Sequence, residues 1–103
     1  MQDEPETQLT QWQIYEVQKP DKTGWDMHFM GYAGYEGRVC SAIQEFDTTT
    51  MKARSRSGRV YELIGQSGYN SDAIYVWNLW VSMYGNPEVR CVTEDFYKEG
   101  TDL

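Results

Sequence analysis

The sequence predicts an α+β domain, an antiparallel sheet of about five strands with one main helix, in the C-terminal half, packed on one face. Three observations lead there. "WDMHFMG" alternates with a period of two, setting Trp25, Met27 and Phe29 against Asp26, His28 and Met30. "MKARSR" and "RVYELIG" flank Ser57 and Gly58 as the arms of a hairpin. "SDAIYVWNLWVSMYG" spaces its apolar residues as a helix does, between a polar start and a glycine stop.

Taken in order, residues 1–10 carry Asp3, Glu4 and Glu6 around Pro5 with only Leu9 to bury, which predicts a disordered acidic arm. Residues 11–99 make the single domain, and residues 100–103 a flexible tail. "WQIYEVQ" (12–18) is rich in aromatic and branched residues and ends at the turn cluster "KPDKTG", so it reads as a strand. After the alternating second strand, "GYAGYEG" interrupts with three glycines, and "RVCSAIQEF" resumes as one further strand up to "DTTT".

The hairpin has two registers. A two-residue turn at Ser57 and Gly58 sets Arg56 opposite Arg59 and mixes charge with apolar groups on each face. A three-residue loop, with Gly58 left-handed, pairs Ser55 with Arg59 and Ala53 with Tyr61, and gathers Met51, Ala53, Tyr61 and Leu63 inward. The second register is the coherent one. It also sets Lys52 opposite Glu62.

The helix is capped by Asn70 or Ser71, has Asp72 in its first turn and stops at Gly85. Ala73, Val76, Trp77, Trp80, Met83 and Tyr84 fall on its packed side, and Tyr75, Asn78 and Ser82 on the other. "EVRCV" reads as a sixth short strand and "TEDFYKEG" as a terminal helical turn capped by Thr93.

Composition narrows the function classes. The chain has 103 residues and a formal net charge of −7, a balance that disfavours phosphate backbones and suits a basic partner or plain solubility. No leader-like or membrane-length apolar run is visible, so a cytoplasmic location with no membrane contact is expected. Cys40 and Cys91 lack metal or redox spacing and read as reduced, buried small hydrophobes.

Four of the nine basic residues lie in "KARSRSGR". Arg54, Arg56 and Arg59 are candidate binding residues there, with Arg38 beside them if the preceding strand lies alongside. The competing reading is a solvated edge guarded against strand addition. Tyr32, Tyr35 and Tyr69, set among Gly, Ser and Asn, are the other candidate contact residues, because this composition makes adaptable recognition surfaces.

His28 shares a strand face with Asp26, a spacing that could make a general base, but no nucleophile is assigned beside it and a surface pair is the commoner outcome. "GQSGYNS" lacks a phosphate-loop lysine, and "GYAGYEG" lacks the dinucleotide spacing. No catalytic residue, metal ligand or cofactor is assigned.

"SGRVYELIG", "DAIYVWNLW" and "WQIYEVQKP" together resemble small uncharacterised bacterial proteins carried on phages, plasmids and integron gene cassettes. The resemblance covers about half the chain and brings no activity or site with it. It implies an accessory protein of a mobile element.

The leading functional expectation is a noncatalytic module that binds an unidentified protein partner through the Gly-Tyr loops or the basic hairpin, with self-association open. An alternative is a small-molecule-binding domain or enzyme with an aromatic pocket between sheet and helix. A second alternative, nucleic-acid binding through Arg54, Arg56 and Arg59, runs against the net charge, and no nucleic-acid partner is expected.

Overall fold

A run of twelve residues, Thr7–Gln18, forms the first strand and organises the rest. One residue bends it. Gln11 takes a left-handed backbone (φ 48°), and the pairing with the next strand slips between Thr10 and Gln13, a bulge of the kind that kinks a strand and raises its twist. The computed structural model describes residues 6–97. Along them run β1 (Thr7–Gln18), β2 (Trp25–Tyr32), β3 (Gly37–Val39), β4 (Ile43–Asp47), β5 (Lys52–Ser55), β6 (Val60–Leu63), α1 (Ser71–Met83), β7 (Val89–Cys91) and α2 (Thr93–Phe96).

Because β1 is bent, its halves serve different neighbours. Thr7, Gln8 and Leu9 pair in parallel with Tyr61, Glu62 and Leu63 of β6. Tyr15, Glu16 and Val17 pair antiparallel with β7, and β2 runs antiparallel along the other edge. The strand order is β3-β2-β1-β6-β5-β4, with β7 also on β1. The α+β class therefore holds, but the sheet is mixed and seven-stranded rather than antiparallel with five.

The short strand expected at "EVRCV" forms as β7, and two further local features account for the rest of the difference. The parallel pairing is made by residues expected in the acidic arm: Thr7–Thr10 belong to β1, and Leu9 is fully buried. Residues 1–5 of that arm, and the tail 100–103, lie outside the described residues. The segment expected as one strand, "RVCSAIQEF", is two. Cys40 N–H bonds to Phe29 O on the β2 side (3.0 Å), while Ala42 O accepts from Arg56 N–H (2.7 Å), so the chain crosses between the sheet halves at Ser41.

The main core lies between those halves: Leu9, Trp12, Ile14, Phe29, Cys40, Tyr61 and Leu63. Burying side chains of this size stabilises by roughly 1.5–3 kcal/mol each. A second cluster, Val17, Met30, Ala73 and Trp77, joins the opposite face of β1 and β2 to α1. β2 is thus covered on both faces, and both halves of its alternating pattern are buried toward its C-terminal end.

The hairpin takes the three-residue register. Lys52, Ala53 and Arg54 face Glu62, Tyr61 and Val60, Ser55 N–H bonds to Arg59 O (3.0 Å), and Gly58 is left-handed (φ 92°). Ala53, Tyr61 and Leu63 are buried, with Met51 packed against them.

Asn70 caps α1, its Oδ1 accepting from the backbone N–H groups of Asp72 and Ala73 (2.9 and 3.2 Å). At the other end Gly85 is left-handed, Asn86 N–H bonds to Val81 O (2.9 Å) and Gly85 N–H to Ser82 O (3.3 Å), which is the Schellman arrangement. Thr93 is not the cap of α2. Val92 holds that position, and the Thr93 hydroxyl is used elsewhere.

Candidate functional site

Each cation of the hairpin has a partner. Arg54 Nη1 lies 2.7 Å from Glu45 Oε1, Lys52 Nζ 3.3 Å from Glu6 Oε1, and Arg56 Nη2 3.6 Å from Asp26 Oδ2. Arg59 Nη1 donates to Thr7 Oγ1 (3.3 Å). Exposed pairs of this kind add little stability, but they disperse the positive charge. Arg38 pairs with Glu36 at 2.7 Å and reaches the Tyr61 hydroxyl on the hairpin, which also feels the charge of Arg59.

His28 is buried, not part of a surface pair with Asp26. Its Nδ1 lies 2.9 Å from Cys40 O. A carbonyl only accepts, so the neutral ring carries its proton on Nδ1 and leaves Nε2 as a bare acceptor. Nε2 has no hydrogen-bond partner, and the ring packs against Trp80 at 4.8 Å. Burial pushes its pKa down, outweighing the Cys40 carbonyl and the Asp26 charge. Cys40 is also held inert: burial raises its thiol pKa to about 12, and its Sγ accepts from Phe29 N–H (3.1 Å). Cys91, expected to be buried, is exposed, and both cysteines are free.

Between sheet and helix, where the alternative reading sets an aromatic pocket, the rings stack on one another. Tyr15 stacks on Trp77 (4.4 Å), Trp77 on Trp80 (5.4 Å) and Trp80 on Tyr84 (4.6 Å). The ladder starts at the half-buried Tyr15, whose pKa desolvation and the nearby Tyr69 raise to about 12, and ends at Tyr84 beside a recess of about 340 Å³ shared with Lys19, Asp26 and Arg56.

Behind the ladder, Thr93 Oγ1 donates to Gln13 Oε1 (2.6 Å) and accepts from Ile14 N–H (2.9 Å), while Gln13 Nε2 donates to Gly68 O (3.0 Å). This knot ties α2 and the loop before α1 to β1. Among the described residues no group of His, Cys, Asp or Glu is placed to hold a metal ion, and no helix is long and apolar enough to cross a membrane.

The surface that remains unaccounted for is the outer side of α1. Tyr75 is 69% exposed, Leu79 49% and Met83 79%, and their spacing of four residues places them in one row. Met83, expected on the packed side, lies outside. The packed side is instead Ala73, Ile74, Trp77, Trp80 and Val81. Between Glu62 and Glu88 the only charged residue is Asp72. That silence was the available signal, since a helix exposing one face to water ordinarily carries charge there.

The predicted tyrosines differ in exposure. Tyr32 is half-buried on β2, Tyr35 is exposed in the following turn, and Tyr69 is exposed with a hydrogen bond to Tyr15. Comparison of the chain with family models, with curated proteins and with solved structures finds no match.

Proposed function

We propose that the protein is a noncatalytic protein-interaction module whose contact surface is the outer face of α1. The observation that carries this is the row Tyr75, Leu79 and Met83, exposed on a helix whose only charge is Asp72 at its first turn. Interface centres are depleted of charge and enriched in aromatic residues and methionine, and a contiguous apolar patch ringed by polar groups marks such sites. The hairpin supports the same reading by contrast, because its cations are already engaged. Small-molecule binding between sheet and helix has less support, because the aromatic rings there are stacked on one another.

The test is a photo-crosslinking side chain introduced at position 79 or, separately, at position 54, in cells that express the protein. Crosslinking to protein from position 79 but not 54 is expected. Capture from position 54 alone would move the contact surface to the hairpin, and capture from neither would overturn the reading.

A further inference from the structure

Four rings run in one stack from β1 to the C-terminal end of α1. Tyr15 meets Trp77 at 4.4 Å with 18° between the planes, Trp77 meets Trp80 at 5.4 Å and 15°, and Trp80 meets Tyr84 at 4.6 Å and 13°. The last two contacts follow from helical spacing, which makes neighbours of residues three and four apart. All four rings are tyrosine or tryptophan, the aromatic side chains that give up an electron most readily. Trp12 meets Tyr97 at 66°, and the phenylalanines, which are far harder to oxidise, meet one another at 70° and 47°. Packing alone does not demand that sorting, since offset-stacked and edge-on pairs are both favoured. Parallel overlap of oxidisable rings is what couples them electronically.

Independently of the contact face on α1, we infer that the ladder is a one-electron relay, carrying an oxidising equivalent from the interior at Trp77 to the surface at Tyr84, where a soluble reductant of the ascorbate or thiol class removes it. The steps balance. A one-electron oxidant takes an electron from the Trp77 indole and leaves a radical cation. Trp80 refills Trp77, and Tyr84 refills Trp80 while its phenolic proton passes to water, which leaves a neutral tyrosyl radical. The reductant then returns one electron and one proton, and the chain is unchanged.

The direction follows from where a proton can leave. A tyrosine loses its phenolic proton on oxidation, and at neutral pH its radical couple then lies below that of tryptophan, so the hole comes to rest on a tyrosine. Tyr84 is exposed and borders the recess that also holds Lys19, Asp21, Asp26 and Arg56, so its proton has a path to water. Tyr15, at the other end, is half-buried and its pKa is raised to about 12, which makes its proton harder to lose. His28 lies 4.8 Å from Trp80 and burial keeps it neutral, so the imidazole sets no positive charge against a hole there.

Cys91 gives a way to start the hole at the inner end. Its thiol is exposed while that of Cys40 is buried, and it pairs with Tyr15 across β1 and β7, so a thiol-reactive ruthenium polypyridyl attached there in the full chain injects a hole beside the ladder when oxidised by flash-quench. Transient absorption should show a tryptophanyl radical that gives way to a tyrosyl radical at a rate independent of protein concentration, and ascorbate should shorten the tyrosyl lifetime. In Tyr84→Phe, which removes one exposed hydroxyl, the tyrosyl signal should fall several-fold and the tryptophanyl signal persist. Trp80→Phe should strand the hole on Trp77 in the same way, and Tyr84→Phe decides alone should that variant fail to fold. Tyr75→Phe, on the same helix but outside the ladder, should match the wild type. The inference is overturned by a wild type that forms no tyrosyl radical, by a tyrosyl yield unchanged in Tyr84→Phe, which would put the exit elsewhere, as at Tyr69 beside Tyr15, by an equal loss in Tyr75→Phe, or by a rate that rises with protein concentration. Crosslinking at position 79 is indifferent to all of these, so the relay and the contact face fail separately.

Discussion

His28 shows how one buried side chain can make stability depend on pH. Its folded pKa lies below the ordinary 6.5 because burial disfavours the charged ring, with Arg56 adding to that effect and Asp26 and the Cys40 carbonyl opposing it. As pH falls, the unfolded chain takes up the proton first, so the unfolded state binds more protons and stability declines. The contribution is complete above the unfolded pKa and is lost as pH drops through the folded one. The wild type should therefore lose stability as pH falls below the ordinary 6.5, and His28→Gln should show a flatter profile there while starting about 1–3 kcal/mol less stable at neutral pH. Urea midpoints across that range measure it. Equal slopes for the two proteins would assign the pH dependence to the carboxylates instead.

At the scale of elements, the seat of α1 on β3 depends on Gly37. A Cβ there would sit 2.5 Å from the Asp72 carbonyl oxygen and 2.7 Å from Ala73 Cα. Both are backbone atoms of the helix start and cannot rotate away, so Gly37→Ala should lift the first turn of α1 and cost about 1–3 kcal/mol. At Gly24 an added Cβ would meet nothing within 4 Å. It is the control, and Gly24→Ala should leave the midpoint of chemical denaturation unchanged. Matching midpoints for the two variants would show that the helix does not press on β3. Elements written in local pattern were legible before the structure: the β5–β6 register follows from which residues its loop pairs, and the limits of α1 from Asn70 and Gly85. What was not legible depends on distant partners. Leu9 looks like a lone apolar residue in an acidic stretch until β6 lies beside it, and the break at Ser41 exists because β3 and β4 answer to different neighbours. The outer row of α1 is legible only in part, since helical spacing puts Tyr75 outward but a packed face wide enough to include Tyr84 also takes in Met83, which is exposed.

At the scale of the whole molecule, charge decides what the basic hairpin does. Nine cations stand against sixteen carboxylates, and Arg54 and Arg56 already lie beside Glu45 and Asp26. To hold a phosphate backbone these arginines would have to leave their carboxylates and act against a net charge of −7, whose field repels a polyanion over distances that the paired hairpin cations do not offset. Phosphate binding also weakens steeply as salt rises, so low ionic strength is the condition most favourable to any such activity. The expected outcome there is no binding of DNA or RNA at micromolar protein, with the Arg54→Ala, Arg56→Ala, Arg59→Ala triple variant indistinguishable from wild type once circular dichroism has shown it folded. Fluorescence anisotropy of labelled single- and double-stranded oligonucleotides reads this directly. Salt-sensitive binding by the wild type that disappears in the folded triple variant would make the hairpin a nucleic-acid site despite its carboxylate partners, whereas binding that survives the substitutions would place it elsewhere on the surface.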